Sequence, residues 1–100
     1  MTYQEIVNQL TQQDGIEEST IMKSPCLRYQ GDFVAMMFEP EESLIVKLSA
    51  ARVNEIIDAS EGSEFNFTSK KFKEWVMIPL DFEDKFMDYV LEAIAYAESK

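Results

Sequence analysis

Three apolar runs separated by two turns occupy residues 26–48, and this stretch constrains the fold more than any other part of the chain. Its sequence is CLRYQGDFVAMMFEPEESLIVKL. Gly31-Asp32 predicts a tight two-residue turn, and Pro40 indicates a loop from Glu39 to Ser43. The stretch therefore predicts a three-stranded antiparallel meander, in which the turns determine how the strands pair.

The predicted turns assign each residue of the meander a partner on the neighbouring strand. Gln30 is expected opposite Phe33, and Arg28 opposite Ala35. The second turn places Phe38 opposite Leu44. Because side chains alternate along a strand, one face then collects Leu27, Tyr29, Val34, Met36, Phe38, Leu44, Val46 and Leu48. All of these are apolar apart from one phenol oxygen, and we predict that they form the core.

Apolar residues recur at helical spacing in three other segments, and each segment predicts a helix. The stripes are Tyr3, Ile6, Val7 and Leu10; Ala50, Val53, Ile56 and Ile57; and Phe82, Phe86, Tyr89, Val90, Ala93, Ile94 and Ala97. Ser49 is the expected cap of the second helix. We predict that the third helix begins near Asp81 and is the longest.

The remaining segments complete a prediction of one α+β domain over residues 1–100. Residues 15–20 are polar and predict a loop, followed by a brief strand at 20–23. KEWVMIPL, at residues 73–80, predicts a final strand. The expected architecture is a two-layer sandwich, in which amino-terminal and carboxy-terminal helices pack on one face of a mainly antiparallel sheet.

Composition excludes several classes of function. Asp and Glu number 19 against 9 Lys and Arg, which gives a net charge of −10 and disfavours phosphate backbones and anionic membranes. The chain has no histidine and no apolar run of the roughly 20 residues that a membrane span needs. Cys26 is the only cysteine, which suits a reducing, cytoplasmic compartment and predicts a structural thiol. We therefore predict no catalytic residues, no cofactor and no metal site, with Glu39, Glu41 and Glu42 forming an ordinary acidic turn.

The order of these elements resembles that of the YjbR-like and TfoX amino-terminal-domain-like proteins. The resemblance spans Thr20 to Glu98. It rests on Gly31-Asp32 before FVAMMF, on LIVKL before a helix that begins Ser49-Ala50-Ala51, and on KEWVMIPL before a long terminal helix. It implies a frataxin-like α/β arrangement and no catalytic residues. Some members of the family are described as DNA-binding, whereas MKSP at residues 22–25 replaces the glycine-containing step that TfoX-like sequences commonly show.

The opposite face of the predicted strands is the candidate functional site. It carries Cys26, Arg28, Phe33, Ala35, Met37, Ile45 and Lys47, and Trp75 and Met77 join it if Val76, Ile78 and Leu80 point to the core. Contiguous apolar patches of this kind mark interaction surfaces. The predicted contact residues are Arg28, Phe33, Met37, Ile45, Lys47 and Trp75. Two interpretations stay open: a protein partner or a second copy covers this face, or the first helix or residues 65–72 cover it.

A local basic cluster supports an alternative function. Lys70, Lys71 and Lys73 are interleaved with Phe72 and Trp75, and such a segment can hold a phosphate backbone and stack a base. Lysines on a strand edge also discourage edge-to-edge pairing. We therefore predict a non-enzymatic domain that acts through protein association or self-association, with a nucleic-acid-associated regulatory domain as the alternative.

Overall fold

Six strands form one antiparallel sheet in the computed structural model, which describes residues 2–21, 23–67 and 70–99, with the side chains of all of these except 66, 67 and 70–72. The strands are β1 (Ile16–Ile21), β2 (Ser24–Tyr29), β3 (Asp32–Phe38), β4 (Ser43–Lys47), β5 (Ser63–Phe67) and β6 (Lys70–Pro79). Their order across the sheet is β1-β2-β3-β4-β6-β5. The helices are α1 (Tyr3–Leu10), α2 (Ala50–Asp58) and α3 (Phe86–Glu98).

Side chains cap the first two helices. Thr2 and Glu5 form a capping box, in which the Glu5 amide donates to the Thr2 hydroxyl at 3.2 Å and the Thr2 amide donates to the Glu5 carboxylate at 2.9 Å. Ser49 accepts a hydrogen bond from the Arg52 amide at 3.2 Å, which confirms it as the cap of α2. The third helix begins later than predicted, because Leu80–Lys85 forms a 3₁₀ segment that is interrupted by non-helical angles at Phe82.

All three helices pack apolar side chains against the same face of the sheet. In the predicted stripe of α2, Val53 and Ile56 are buried, Ile57 is half-buried and Ala50 is exposed. The main core contains Tyr3, Ile6, Val7, Leu10, Val53, Ile56, Phe86, Tyr89, Val90, Ala93, Ile94 and Ala97 from the helices and Ile16, Leu27, Val34, Ala35, Leu44, Val46, Leu48, Val76 and Ile78 from the sheet side. Alternation along the strands leaves the other set of side chains on the second face of the sheet. The predicted α+β architecture, with helices packed on one face of an antiparallel sheet, is confirmed.

The pairing differs from the prediction at both turns, by two residues next to the first turn and by one residue at the second. The first turn is Gln30-Gly31, with φ angles of 49° and 91°, and Tyr29 lies opposite Asp32. A two-residue turn with positive φ at both positions favours glycine at its second position, so Asp32 belongs to the strand. The second loop ends at Glu42, which places Phe38 opposite Ser43.

A β-bulge in β3 changes which of its residues reach the core. Arg28 pairs with Phe33 whereas Leu27 pairs with Ala35, so Val34 is the extra residue. Beyond the bulge, each side chain of β3 points to the opposite face from the one that it would have in a regular strand. Met36 and Phe38, which were predicted in the core, therefore lie on the second face. Their places on the helix side are taken by Ala35 and Met37.

The polar segment at 15–20 forms most of β1, an edge strand, rather than the predicted loop. Its register with β2 is continuous from Ile16 opposite Tyr29 to Ile21 opposite Ser24. Ile16 packs in the main core, whereas Glu17 and Glu18 are exposed. An edge strand needs few apolar residues, because its neighbour supplies the pairing and solvent meets much of its surface.

Charged and phenolic groups connect α2 and the segment after it to α3. The Arg52 guanidinium donates to both oxygens of Glu92, at 2.6 and 3.3 Å. Glu61 accepts hydrogen bonds from Lys85 at 2.8 Å and from Tyr89 at 2.7 Å. These contacts lower the pKa of Glu61, with the hydrogen bond from Lys85 as the largest cause. Burial, followed by the hydrogen bond to Glu61, raises the pKa of Tyr89 to about 12.

These shifts predict how the free energy of unfolding depends on pH. A carboxyl group whose pKa is lower in the folded state than in the unfolded chain stabilises the fold at pH values above its ordinary pKa. That contribution is lost as the pH falls through the folded-state pKa. Tyr89 acts at high pH. Its contribution to stability is complete at pH values below the ordinary pKa of tyrosine and is lost as the pH rises towards about 12.

We expect Glu61→Gln to reduce the loss of stability in acid, measured by urea unfolding at several pH values. Glu55→Gln, which alters a largely exposed carboxylate, is the control; an equal acid response in both variants would contradict the prediction.

Candidate functional site

The second face of the sheet carries a separate apolar cluster. Cys26, Phe33, Met36, Ile45 and Phe65 are its buried members, and Ile21, Phe38, Trp75 and Met77 are half-buried around them. Phe33, Ile45 and Trp75 therefore lie where the sequence places them. Trp75 and Met77 join this face because Val76 and Ile78 point to the main core, whereas Leu80 is 41% exposed.

The prediction that Met37 lies on the second face is wrong. Met37 is half-buried against the main core on the helix side, because the bulge at Val34 reverses the alternation of β3. Met36 takes its place on the second face and is fully buried there. The sequence contains no local signal for this exchange, since every residue of FVAMMF is apolar.

Phe65 packs across the second face, although its strand lies at the edge of the sheet. Its ring meets Phe38 edge-on at a centroid distance of 5.4 Å and lies 5.5 Å from Trp75, which stacks on Phe33 at 4.5 Å. Three strand spacings separate β5 from β3, roughly 14 Å in a flat sheet. β5 and β6 must therefore curl over β4 where Phe65 lies, which brings this ring to Phe38.

Phe65 covers the centre of the apolar face, which supports the interpretation that the chain itself covers that face. Phe33 is 8% exposed, Ile45 is fully buried and Phe65 is 2% exposed. The first helix does not contribute, because its buried residues belong to the main core. What remains accessible is the half-buried rim rather than the apolar centre. A sequence signal for the cover existed in the aromatic residues of SEFNF, at positions 63–67.

A large bulge in β6 allows the hairpin to curl. Glu64 pairs with Val76 whereas Phe65 pairs with Phe72, so three residues of β6, Lys73 to Trp75, have no partner on β5. The bulge is anchored by Glu74. Its carbonyl oxygen accepts a hydrogen bond from the Leu48 amide at 2.9 Å, and its carboxylate accepts one from the Tyr96 hydroxyl.

A groove of about 280 Å³ lies between α2 and this bulge. Its lining residues are Ala50, Val53, Asn54, Ile57, Glu64, Lys73 and Trp75. Trp75 therefore contacts both the groove and the aromatic cluster of the second face. The sequence does not reveal this groove, because the helical spacing of α2 shows its buried stripe but does not show that a bulge in another strand faces it.

Two basic residues flank the cluster on the second face. Arg28 lies across from Phe33 on β2, and its guanidinium donates to the Gly31 carbonyl at 3.4 Å. Lys47 lies across from Trp75 and is half-buried. Glu17, opposite Arg28, adds one acidic side chain to the same face. Two basic side chains and one acidic side chain thus border this face, in a chain whose net charge is −10.

The Cys26 thiol is buried in this cluster. Burial raises its pKa, and the nearby Arg28 guanidinium only partly opposes that shift. A raised pKa disfavours the thiolate, which is the nucleophilic form of cysteine.

Only part of the predicted basic cluster falls on described side chains. Lys73 is exposed and lines the groove together with Trp75. The side chains of Lys70 and Lys71 lie outside the described part of the structure. Glu64 lines the same groove as Lys73, so the groove carries an acidic as well as a basic side chain.

No group of three or more Cys, Asp and Glu side chains in the described part of the chain could hold a metal ion. No helix among the residues described is both long and apolar enough to cross a membrane.

Comparison of the chain with protein-family models, with curated proteins and with solved structures finds no match. The resemblance to YjbR-like and TfoX amino-terminal-domain-like proteins therefore stays a prediction.

Proposed function

We propose that this chain is a non-enzymatic cytoplasmic domain that acts by associating with another protein, or with a second copy, through the rim of the second sheet face. The observation that carries the proposal is the position of Trp75. Its indole is half-buried between Phe33 and Phe65, and it also reaches the groove beside α2. Tryptophan is enriched among the residues that contribute most to protein interfaces.

The surroundings of Trp75 support a protein ligand. Phe38, Met77 and Ile21 are also half-buried around the second-face cluster, and none of the three helices packs there. Arg28 and Lys47 border this rim. A matching partner surface would combine apolar residues at its centre with carboxylates at its edge, because complementary charge favours encounter and suppresses wrong partners.

A pair of matched variants tests this proposal. Met77→Glu places a charge on the half-buried rim, and Leu91→Glu places the same charge at an exposed apolar position on α3. Both proteins are first checked for native circular dichroism. Light scattering at two salt concentrations measures self-association, and affinity capture from the native cell compares the proteins retained by each variant.

We expect Met77→Glu to lose the self-association or the retained protein, and Leu91→Glu to keep it. An association that buries apolar surface should persist at high salt, whereas binding to a phosphate backbone falls steeply. A monomer at both salt concentrations, with identical retained proteins for the two variants, would contradict the proposal. Retention of nucleic acid that disappears at high salt would instead favour the basic-cluster alternative.

A further inference from the structure

The outer side of β1 is an open sheet edge. β1 is the first strand in the sheet order, and within the described ranges no strand pairs with its outer side. Its six residues stay in continuous register with β2, without a bulge. The opposite edge differs, because the pairing of β5 with β6 is interrupted by the bulge and the hairpin curls. β1 is therefore the regular edge of this sheet.

The hydrogen-bonding pattern shows which backbone groups of β1 point outward. The Gln30 amide donates to the Gly15 carbonyl at 2.7 Å, so Gly15 directs its carbonyl group towards β2. Alternation along an antiparallel pair then directs the backbone groups of Glu17 and Ser19 to β2 as well. Glu18 and Thr20 direct their N–H and C=O groups away from the sheet, where an added strand would pair with them.

Charge determines which kind of strand this edge favours. Natural edge strands are usually protected by charged side chains, proline, a bulge or short length, and the only protection of this kind in IEESTI is acidic. Glu17 and Glu18 are exposed on opposite faces of β1. They repel a second copy of a chain with net charge −10, and they attract a basic segment.

We propose that the β1 edge binds an extended basic segment of another protein as an additional antiparallel strand. Adjacent Lys or Arg residues of that segment would face Glu18 and Glu17, one on each side of the sheet. An apolar residue four positions from the partner of Glu17 would lie beside Ile21, which is half-buried at the margin of the second-face cluster. Backbone pairing supplies affinity in such complexes, and the alternate side chains supply specificity.

A capped peptide of sequence Val-Thr-Thr-Lys-Lys-Val is the probe, because it places its residues opposite Ile21 through Ile16 in antiparallel order. We expect it to slow amide hydrogen exchange of Glu18 and Thr20, measured by NMR on the whole chain. The amides of Glu17 and Ser19 already bond to β2 and should change little. The matched peptide Val-Thr-Thr-Glu-Glu-Val should bind at least about tenfold more weakly.

Two N-methylated forms of the basic peptide separate strand addition from simple charge attraction. Methyl groups on the second and fourth amides face β1 and should abolish binding. Methyl groups on the third and fifth amides face solvent and should leave it largely intact. Both forms carry the same charge, so equal affinity of the two would overturn the proposal.

Other results of the peptide experiment would also overturn the proposal. Absence of any response to millimolar peptide, or a response confined to the groove beside α2, would overturn the proposal. Concentration-dependent protection of Glu18 and Thr20 without peptide would overturn it in favour of a second copy. The test is independent of the proposed function, because Met77→Glu leaves β1 unchanged and should bind the peptide as the native chain does.

Discussion

Phe65→Ala is expected to lower the free energy of unfolding by about 3–5 kcal/mol, the range for truncation of a buried aromatic residue. The side chain is 2% exposed and packs against both Phe38 and Trp75. Its loss removes the cover of the second face as well as its own buried area. Urea unfolding followed by circular dichroism measures the stability, and the emission of Trp75, the only tryptophan, should shift to the red.

Phe82→Ala is the matched control for this substitution. Phe82 is half-buried against the main core, so the same truncation should cost clearly less. Native-state binding of a hydrophobic dye should increase for Phe65→Ala, because Ile45 and Met36 lie in the cluster that Phe65 covers. If Phe65→Ala costs no more than Phe82→Ala, the curled hairpin does not bury the second face.

The sequence predicts the architecture because hydrophobic periodicity is a local property. The stripes of α1 and α2 and the cap at Ser49 all follow from spacing within one segment. The alternation of Leu27 and Tyr29, and of Leu44 and Val46, likewise assigns their faces correctly. These features need no knowledge of which strands are neighbours.

The failures concern pairings that depend on the rest of the chain. The bulge at Val34 lies in a run of apolar residues, and either face of the sheet can bury them. Because helices cover one face and Phe65 covers the other, the apolar sequence of β3 does not indicate to which face each side chain points. In the predicted meander, Arg28 and Lys47 were the residues that distinguished the charged face from the apolar one, and they lie on β2 and β4. They therefore left the faces of β3, which lies between these strands, undetermined.

The candidate surface is smaller than the apolar face that the sequence predicts. An apolar second face predicted from sequence suggests a missing partner, but Phe65 of β5 and Trp75 of β6 pack over it. The half-buried rim around Trp75 is what remains for a partner. The open edge of β1 was hidden for the opposite reason, because the polar sequence of an edge strand resembles that of a loop.

Met36→Ala should destabilise the fold much more than Met37→Ala, which tests the bulge directly. Met36 is fully buried and pairs with Cys26 on one side and Ile45 on the other, whereas Met37 is half-buried on the helix side. We expect a loss of about 2–5 kcal/mol for Met36→Ala and less than about half of that for Met37→Ala, measured by urea unfolding. The substitutions remove the same atoms from adjacent residues, so the difference reports burial alone. Regular alternation from Phe33 would leave Met37 buried beside Ile45 and give the reverse order, and that result would show that β3 has no bulge at Val34.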